Sequence, residues 1–299
     1  MDQLDYKELG ANIRQVYLAG DKYQLDKHVP AFKKDGEYVG DFFSLTMFEL
    51  DGQNPPIFYH TYSPYDIITG KSSDHAVIFR SGEIVMATEF TPYMRQRTGV
   101  MTAVVLEGLG VKEMHSKKVL YIGTGNIAQR DLAALKTYYP DLQTVSYINR
   151  TGQIGAFFEL ASSIGVVVEQ SSLEHFSDFD VIICHTNAKD PVLTSAMVKD
   201  IKQGAILTVF SSENFTEVAS EFFNTNNATV LIDWPATIEE SPDLHAAVQQ
   251  GIADSSKIVS LKSFFADGVQ KNVSYTIYRS HGTPMQNLAA LQLLLKKQS

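Results

Sequence analysis

The sequence predicts an α/β protein in which a Rossmann-type nucleotide-binding domain accompanies a second, α+β domain. Three observations lead there. From Lys117 onward, short apolar runs alternate with helical stretches, the rhythm that builds a parallel sheet with right-handed crossovers. The first of those runs breaks into VLYIGTGNIAQ (119–129), where Gly123, Gly125 and Ala128 spell G-x-G-x-x-A between a strand and a helix. Before residue 112 no such rhythm exists, and strand-like stretches follow one another directly. The chain has 299 residues, 44% of them apolar, which suffices for two domains with their own cores.

An amphipathic helix over about 3–20 opens the first half, followed by strands at DFFSLTMFEL, PPIFYHTY and the pair HAVIFR and EIVMATE. The two-residue Ser81-Gly82 link makes that last pair a hairpin. Next comes TPYMRQRTGVMTAVVLEGLG, read as one long helix with Thr91 as its cap, Pro92 at its first position and Gly110 at its stop. In the second half, strands are expected at KVLYIG, TVSYI, VVVEQ, VIICHT and AILTVF, with helices to Tyr139, over 153–164 and over 194–202. The change of character near residue 112 marks the expected boundary between the two domains.

The glycine turn gives the first chemical expectation. Glycine permits a tight turn and lets a pyrophosphate approach the amides of the helix that Asn126 and Ile127 open, so the motif holds a dinucleotide. The end of the second strand indicates which one. An NAD site usually presents an acid there to bond the ribose 2′-hydroxyl, whereas TVSYINRTGQ puts Asn149, Arg150 and Thr151 at that point. A guanidinium makes charge-assisted bonds to a phosphate, and hydroxyls add neutral ones. NADP (NADPH) is therefore expected in preference to NAD.

Composition excludes several classes. A net charge of −9 without clustered Lys and Arg argues against nucleic acid as a partner. No run approaches the roughly 20 apolar residues of a membrane span, and the acidic start MDQLDYKELG lacks the features of a signal peptide; a cytoplasmic protein is expected. The single cysteine, Cys184, lies in the apolar run VIIC and reads as buried and inert. No metal-ligand spacing, G-x-S-x-G or Walker loop occurs.

The order and spacing of HAVIFRSGEIVMATE, RTGVMTAVV, IGTGNIAQ, NRT, HTNAKDPVL, VLIDWPATIEESPDL and TIYRSHGTPMQNLAALQLLL resembles the ornithine cyclodeaminase and mu-crystallin family, from about residue 75 to the C-terminus. The resemblance implies that 1–112, rejoined by 275–299, make a substrate and dimerisation domain and 113–274 the nucleotide-binding domain, in a homodimer with the nicotinamide in a cleft between the domains, and it implies roles. Arg97 matches the arginine that grips a substrate carboxylate. Glu213 stands where cyclodeaminating members carry an aspartate, and is the candidate acid or base. Thr186 and Asn187 occupy the ribose-side loop. Ser280, His281 and Gly282 match the segment beside the nicotinamide, with His281 a candidate contact to substrate. The family's substrate lysine falls at Phe58, and no lysine lies from 55 to 68; Tyr59, His60 and Tyr62 are the alternatives nearby. Three activities follow from the resemblance. The first is an NAD(P)-dependent oxidoreductase transferring hydride to or from an amino acid or its related imine or keto acid. The second is an ornithine cyclodeaminase-like ammonia lyase, and the third an NADPH-binding, mu-crystallin-like protein without turnover. The missing lysine and the altered aspartate favour the first over the second.

Overall fold

The computed structural model of the chain describes residues 3–28, 31–34, 37–41, 43–49, 57–63, 65–66, 71–150, 152, 154–186, 188–210, 215–269 and 273–298. The chain divides into two compact units, Met1–Thr98 with Thr283–Ser299, and Gly99–Gly282.

In the first unit, α1 (Tyr6–Leu18) starts at Asp5, whose carboxylate accepts from the Glu8 amide at 2.8 Å. Its Leu9, Ile13, Val16 and Tyr17 recur at helical spacing and are buried, and the helix packs on the C-terminal helix Pro284–Gln298. An antiparallel sheet runs in sequence order: β1 (Tyr23–His28), β2 (Phe43–Glu49), β3 (Ile57–Ser63), β4 (His75–Arg80), β5 (Glu83–Glu89). Two-stranded ribbons form from Ala31–Lys34 with Glu37–Asp41 and from Tyr65–Asp66 with Lys71–Ser72. Ser81 and Gly82 both have positive φ, 55° and 83°, the two-residue turn whose twist matches a hairpin. The strands obey period-two alternation: on β3, Tyr59 and Thr61 are buried. On the opposite face the rings of Phe58, His60, Tyr62 and His75 stack successively at 6.0, 5.6 and 5.5 Å.

The segment expected as one long helix is two, α2 (Thr91–Gly99) and α3 (Met101–Gly108). The break falls beside Gly99, where a Cβ would lie 2.6 Å from the Cβ of Arg130. Thr91 does not cap; its hydroxyl accepts from the Asp74 amide at 2.8 Å. Gly110 does end the run, at φ 80°, with the Val111 amide reaching back to Leu106.

The second unit holds eight parallel strands: β6 (Val119–Ile122), β7 (Thr144–Ile148), β8 (Val167–Gln170), β9 (Val181–Cys184), β10 (Ala205–Phe210), β11 (Ala228–Ile232), β12 (Val259–Ser260) and β13 (Tyr275–Ser280). Their order in space is β8-β7-β6-β9-β10-β13-β11-β12. The direction of the winding reverses between β6 and β9, the switch point at which such sheets bind ligands. Both faces are covered. Val119 and Tyr121 pack toward Leu132 and Leu135 of α4 (Asn126–Tyr138) and Phe157 of α5 (Gly155–Ser163), while Leu120 and Ile122 pack with Phe222, Phe223 and Leu244. Burial on both faces explains why β6 and β9 read as unbroken apolar runs. The stretch expected as a helix over 194–202 is a 3-10 turn, Ser195–Asp200. Strand β13 hydrogen-bonds between β10 and β11, which places 275–282 with the second unit by contact, just as 99–112 goes with it.

Candidate functional site

The carboxyl edge of the second unit's sheet gathers most of the expected dinucleotide residues. After β6 the chain turns at Gly123, with φ 93°; a Cβ there would lie 2.2 Å from the carbonyl oxygen of His185, so only glycine allows the turn to pass the end of β9. At Gly125 a Cβ meets nothing within 4 Å. Helix α4 then begins at Asn126 and Ile127 with no side chain bonded to its first amides. An uncapped N-terminus behind a glycine turn presents unpaired N–H groups and the positive end of the helix dipole to an anion. These residues fit a dinucleotide pyrophosphate.

At the end of the neighbouring strand β7, the Asn149 amide donates to the Thr124 hydroxyl, so the second strand is tied to the glycine turn through their side chains. Arg150 is exposed and, among the described residues, makes no ion pair with the unit's acids. Thr186 follows β9; its backbone amide donates to the Glu217 carboxylate, and its hydroxyl accepts from Ala188 N at 3.3 Å. Ser280 ends β13 and Gly282 lies two residues beyond it. Thr151, Asn187 and Glu213 lie outside the described residues.

Arg97 is held in the first unit. It is 7% exposed, with Nε donating to Asn287 Oδ1 at 2.7 Å and Nη1 to Gln286 Oε1 at 2.8 Å. Asn287 in turn donates to the Thr61 hydroxyl at 3.0 Å, and Gln286 donates to the Tyr17 hydroxyl at 3.4 Å. The side chain is thus fixed in direction by two neutral amide oxygens. Thr61 joins this bed because it lies on the buried face of β3. Phe58, His60 and Tyr62 lie on the other face, and Tyr59 is buried, with its phenol pushed well above the usual range by burial and then by Glu49. Thr61, which stands among the alternatives Tyr59, His60 and Tyr62, connects to Arg97 through Asn287. The side chain of His281, expected toward substrate, is 3% exposed, with Nδ1 3.7 Å from Glu240; its backbone amide is the group that serves the loop.

Buried acids behind this edge escaped sequence reading. Asp131 of α4 accepts from the Tyr121 hydroxyl at 2.7 Å and from the Thr102 hydroxyl, and lies 3.3 Å from Nε2 of His185, whose ring stacks on Phe210 at 4.6 Å. Asp243 pairs with Arg279 at 2.9 Å, both fully buried. Glu217 is buried beside them; burial raises its pKa to about 7, against the attraction of Arg279. Burial, and then Glu217, pushes the Cys184 thiol well up. Asp233 accepts from Tyr278, Ser280, His281 and Gly282. The available signal was positional and slight: Asp233 directly follows the apolar run of β11, whereas Asp243 stands within a later helix.

The sequence model of the Ornithine cyclodeaminase/mu-crystallin family matches residues 75–299. A Delta(1)-pyrroline-2-carboxylate reductase of Bacillus cereus is 24% identical over 249 residues, covering 79% of this chain and 75% of that protein. The Thermococcus litoralis Delta(1)-pyrroline-2-carboxylate reductase, solved with NADH and L-proline, superposes with a TM-score of 0.81 at 18% identity, over 98% of this chain and 93% of its own. The iminosuccinate reductase of Paracoccus denitrificans in complex with NAD+ gives a TM-score of 0.82 at 16% identity, over 99% and 93%.

Proposed function

Because the chain belongs to the ornithine cyclodeaminase/mu-crystallin family, we propose that it is an NAD(P)-dependent oxidoreductase that reduces an imine bearing a carboxylate, or oxidises the corresponding amino acid. The observation that carries the reading is the uncapped start of α4 behind the Gly123 turn, at the carboxyl edge where a dinucleotide's phosphates are received. The two similar proteins named for pyrroline-2-carboxylate reduction and the one named for iminosuccinate reduction support the substrate class.

In this reading Gly123, Gly125, Asn126 and Ile127 receive the pyrophosphate on backbone amides. Asn149, Arg150 and Thr151 receive the adenosine ribose and its 2′-phosphate, making NADP(H) the preferred cofactor, and Thr186, Asn187, Ser280 and Gly282 line the nicotinamide half. When bound, the dinucleotide supplies or accepts the hydride. Arg97, aimed by Asn287 and Gln286, grips the substrate carboxylate with a planar pair of donors, and Glu213 moves the proton at the substrate nitrogen. The chain works as a homodimer in the cytoplasm. Among the described residues no helix is long and apolar enough to cross a membrane, and no side-chain group has the composition to hold a metal.

The test is to mix the protein with NADPH or NADH and a panel of cyclic and open-chain imino acids, with 2-oxo acids plus ammonia, and to follow cofactor absorbance. Net oxidation is expected; ammonia release from a diamino acid without net cofactor change would establish the lyase reading instead. Arg150→Ala should weaken NADPH by about 10- to 100-fold, the loss of one charge-assisted phosphate contact, and leave NADH within about twofold. Equal affinity of the native protein for the two cofactors would overturn the NADP assignment.

A further inference from the structure

We infer that Asp233 is a positioning residue for the nicotinamide half of the cofactor site, acting through the loop Ser280–Gly282; this rests on the dinucleotide reading above. The inference starts from the backbone. Strands β11 and β13 are parallel neighbours, with Ile232 opposite Arg279, so Asp233 is the next residue along and faces Ser280. There β13 ends, and the chain turns away through Gly282, whose φ is 71°. The amides of His281 and Gly282 lose the ladder partners that the sheet would give them, and an unpaired buried amide is costly.

One carboxylate oxygen, Oδ2 of Asp233, takes both. It accepts from the His281 amide at 2.8 Å, the Gly282 amide at 2.9 Å and the Ser280 hydroxyl at 2.9 Å. Its partner oxygen Oδ1 accepts from the Tyr278 hydroxyl. Asp233 is 1% exposed and Ser280 likewise, so these bonds form where water does not compete, and bonds to an ionised acceptor are among the stronger ones. Four donors drawn from residues 278–282 onto one side chain leave the loop a single arrangement. Buried as it is, the acid acts by setting where Ser280 and Gly282 stand.

The effect is confined to one half of the cofactor, since Gly123, Gly125 and Arg150 belong to other strand ends. That gives a readout that a generally destabilising change does not imitate. Whichever of NADPH and NADH binds more tightly is compared, by calorimetry, with the matching ADP-ribose fragment that lacks the nicotinamide. In Asp233→Asn an N–H₂ group competes with the loop's donors for space, and the intact dinucleotide is expected to lose about tenfold in affinity while the fragment stays within about twofold. Tyr278→Phe, which removes one donor and keeps the ring, should show the same asymmetry at about two- to threefold. Parallel losses of dinucleotide and fragment in both variants, or no loss in either, overturn the inference alone. Failure of the native chain to bind any dinucleotide overturns the functional reading and this inference with it.

Discussion

The two units bury charge in opposite ways. In the first, the buried polar side chains among the described residues are Thr61, Gln96, Arg97, Thr283, Gln286 and Asn287, a single cation among neutral groups. In the second they include Asp131, Glu217, Asp233, Asp243 and Arg279, four acids and one cation. Amide oxygens of Gln286 and Asn287 accept from Arg97, whereas the acids of the second unit draw loop amides and hydroxyls onto themselves. The contrast separates two uses of the same electrostatics. A cation aimed by amide oxygens suits the recognition of an anionic ligand, and a carboxylate that gathers several donors fixes a backbone.

The largest effect should come from removing the second unit's cation. Arg279→Met leaves Asp243 and Glu217 buried without their opposite charge, and should cost about 3–5 kcal/mol of stability, read by denaturant unfolding. A loss under about 1 kcal/mol would show that the acids there are compensated elsewhere. Glu217 comes next. Its folded pKa of about 7 exceeds the ordinary 4.5, so the folded state binds more protons than the unfolded between those values, and stability falls as pH rises from 4.5 through 7. The full difference is roughly 3 kcal/mol. Glu217→Gln should therefore flatten the decline in unfolding free energy between pH 5 and pH 8; a slope unchanged from the native protein would count against a proton held there. Arg97→Lys probes the first unit. It keeps the charge but loses the planar fork, and turnover on a carboxylate substrate should fall about 100-fold, with dinucleotide affinity unchanged. Native kinetics in that variant would remove Arg97 from the site.

The legibility of the sequence follows the same division. Five strands of the parallel sheet, β6 to β10, were visible because each is an apolar run set among helical stretches, and the hairpin was visible because Ser81-Gly82 admits one turn. The glycine turn was legible for a local reason, as Gly123 and Gly125 act through their own backbone. What stayed hidden was set by pairs distant in the chain. Asp233 and Ser280 are 47 residues apart, and nothing local to VLID tells that its acid will face a loop. In the lysine neighbourhood parity divides the residues: Tyr59 and Thr61 share the buried face of β3 while His60 and Tyr62 take the other, and that face is decided by the sheet's packing. Thr91 looked like a cap by type, but the amide of Asp74 claims its hydroxyl.

Gly123 and Gly125 are interchangeable letters in the motif, yet they answer to different pressures. At position 123 any side chain collides with the end of a neighbouring strand, so the chain must keep glycine there merely to fold, whatever it binds. At position 125 the protein leaves room and the backbone has an ordinary negative φ of −73°, so only a ligand can enforce the residue. A lineage of this protein that abandoned its cofactor would drift first at 125 and hold 123, and the order in which those two glycines are lost would record whether binding or folding was the last thing selection guarded.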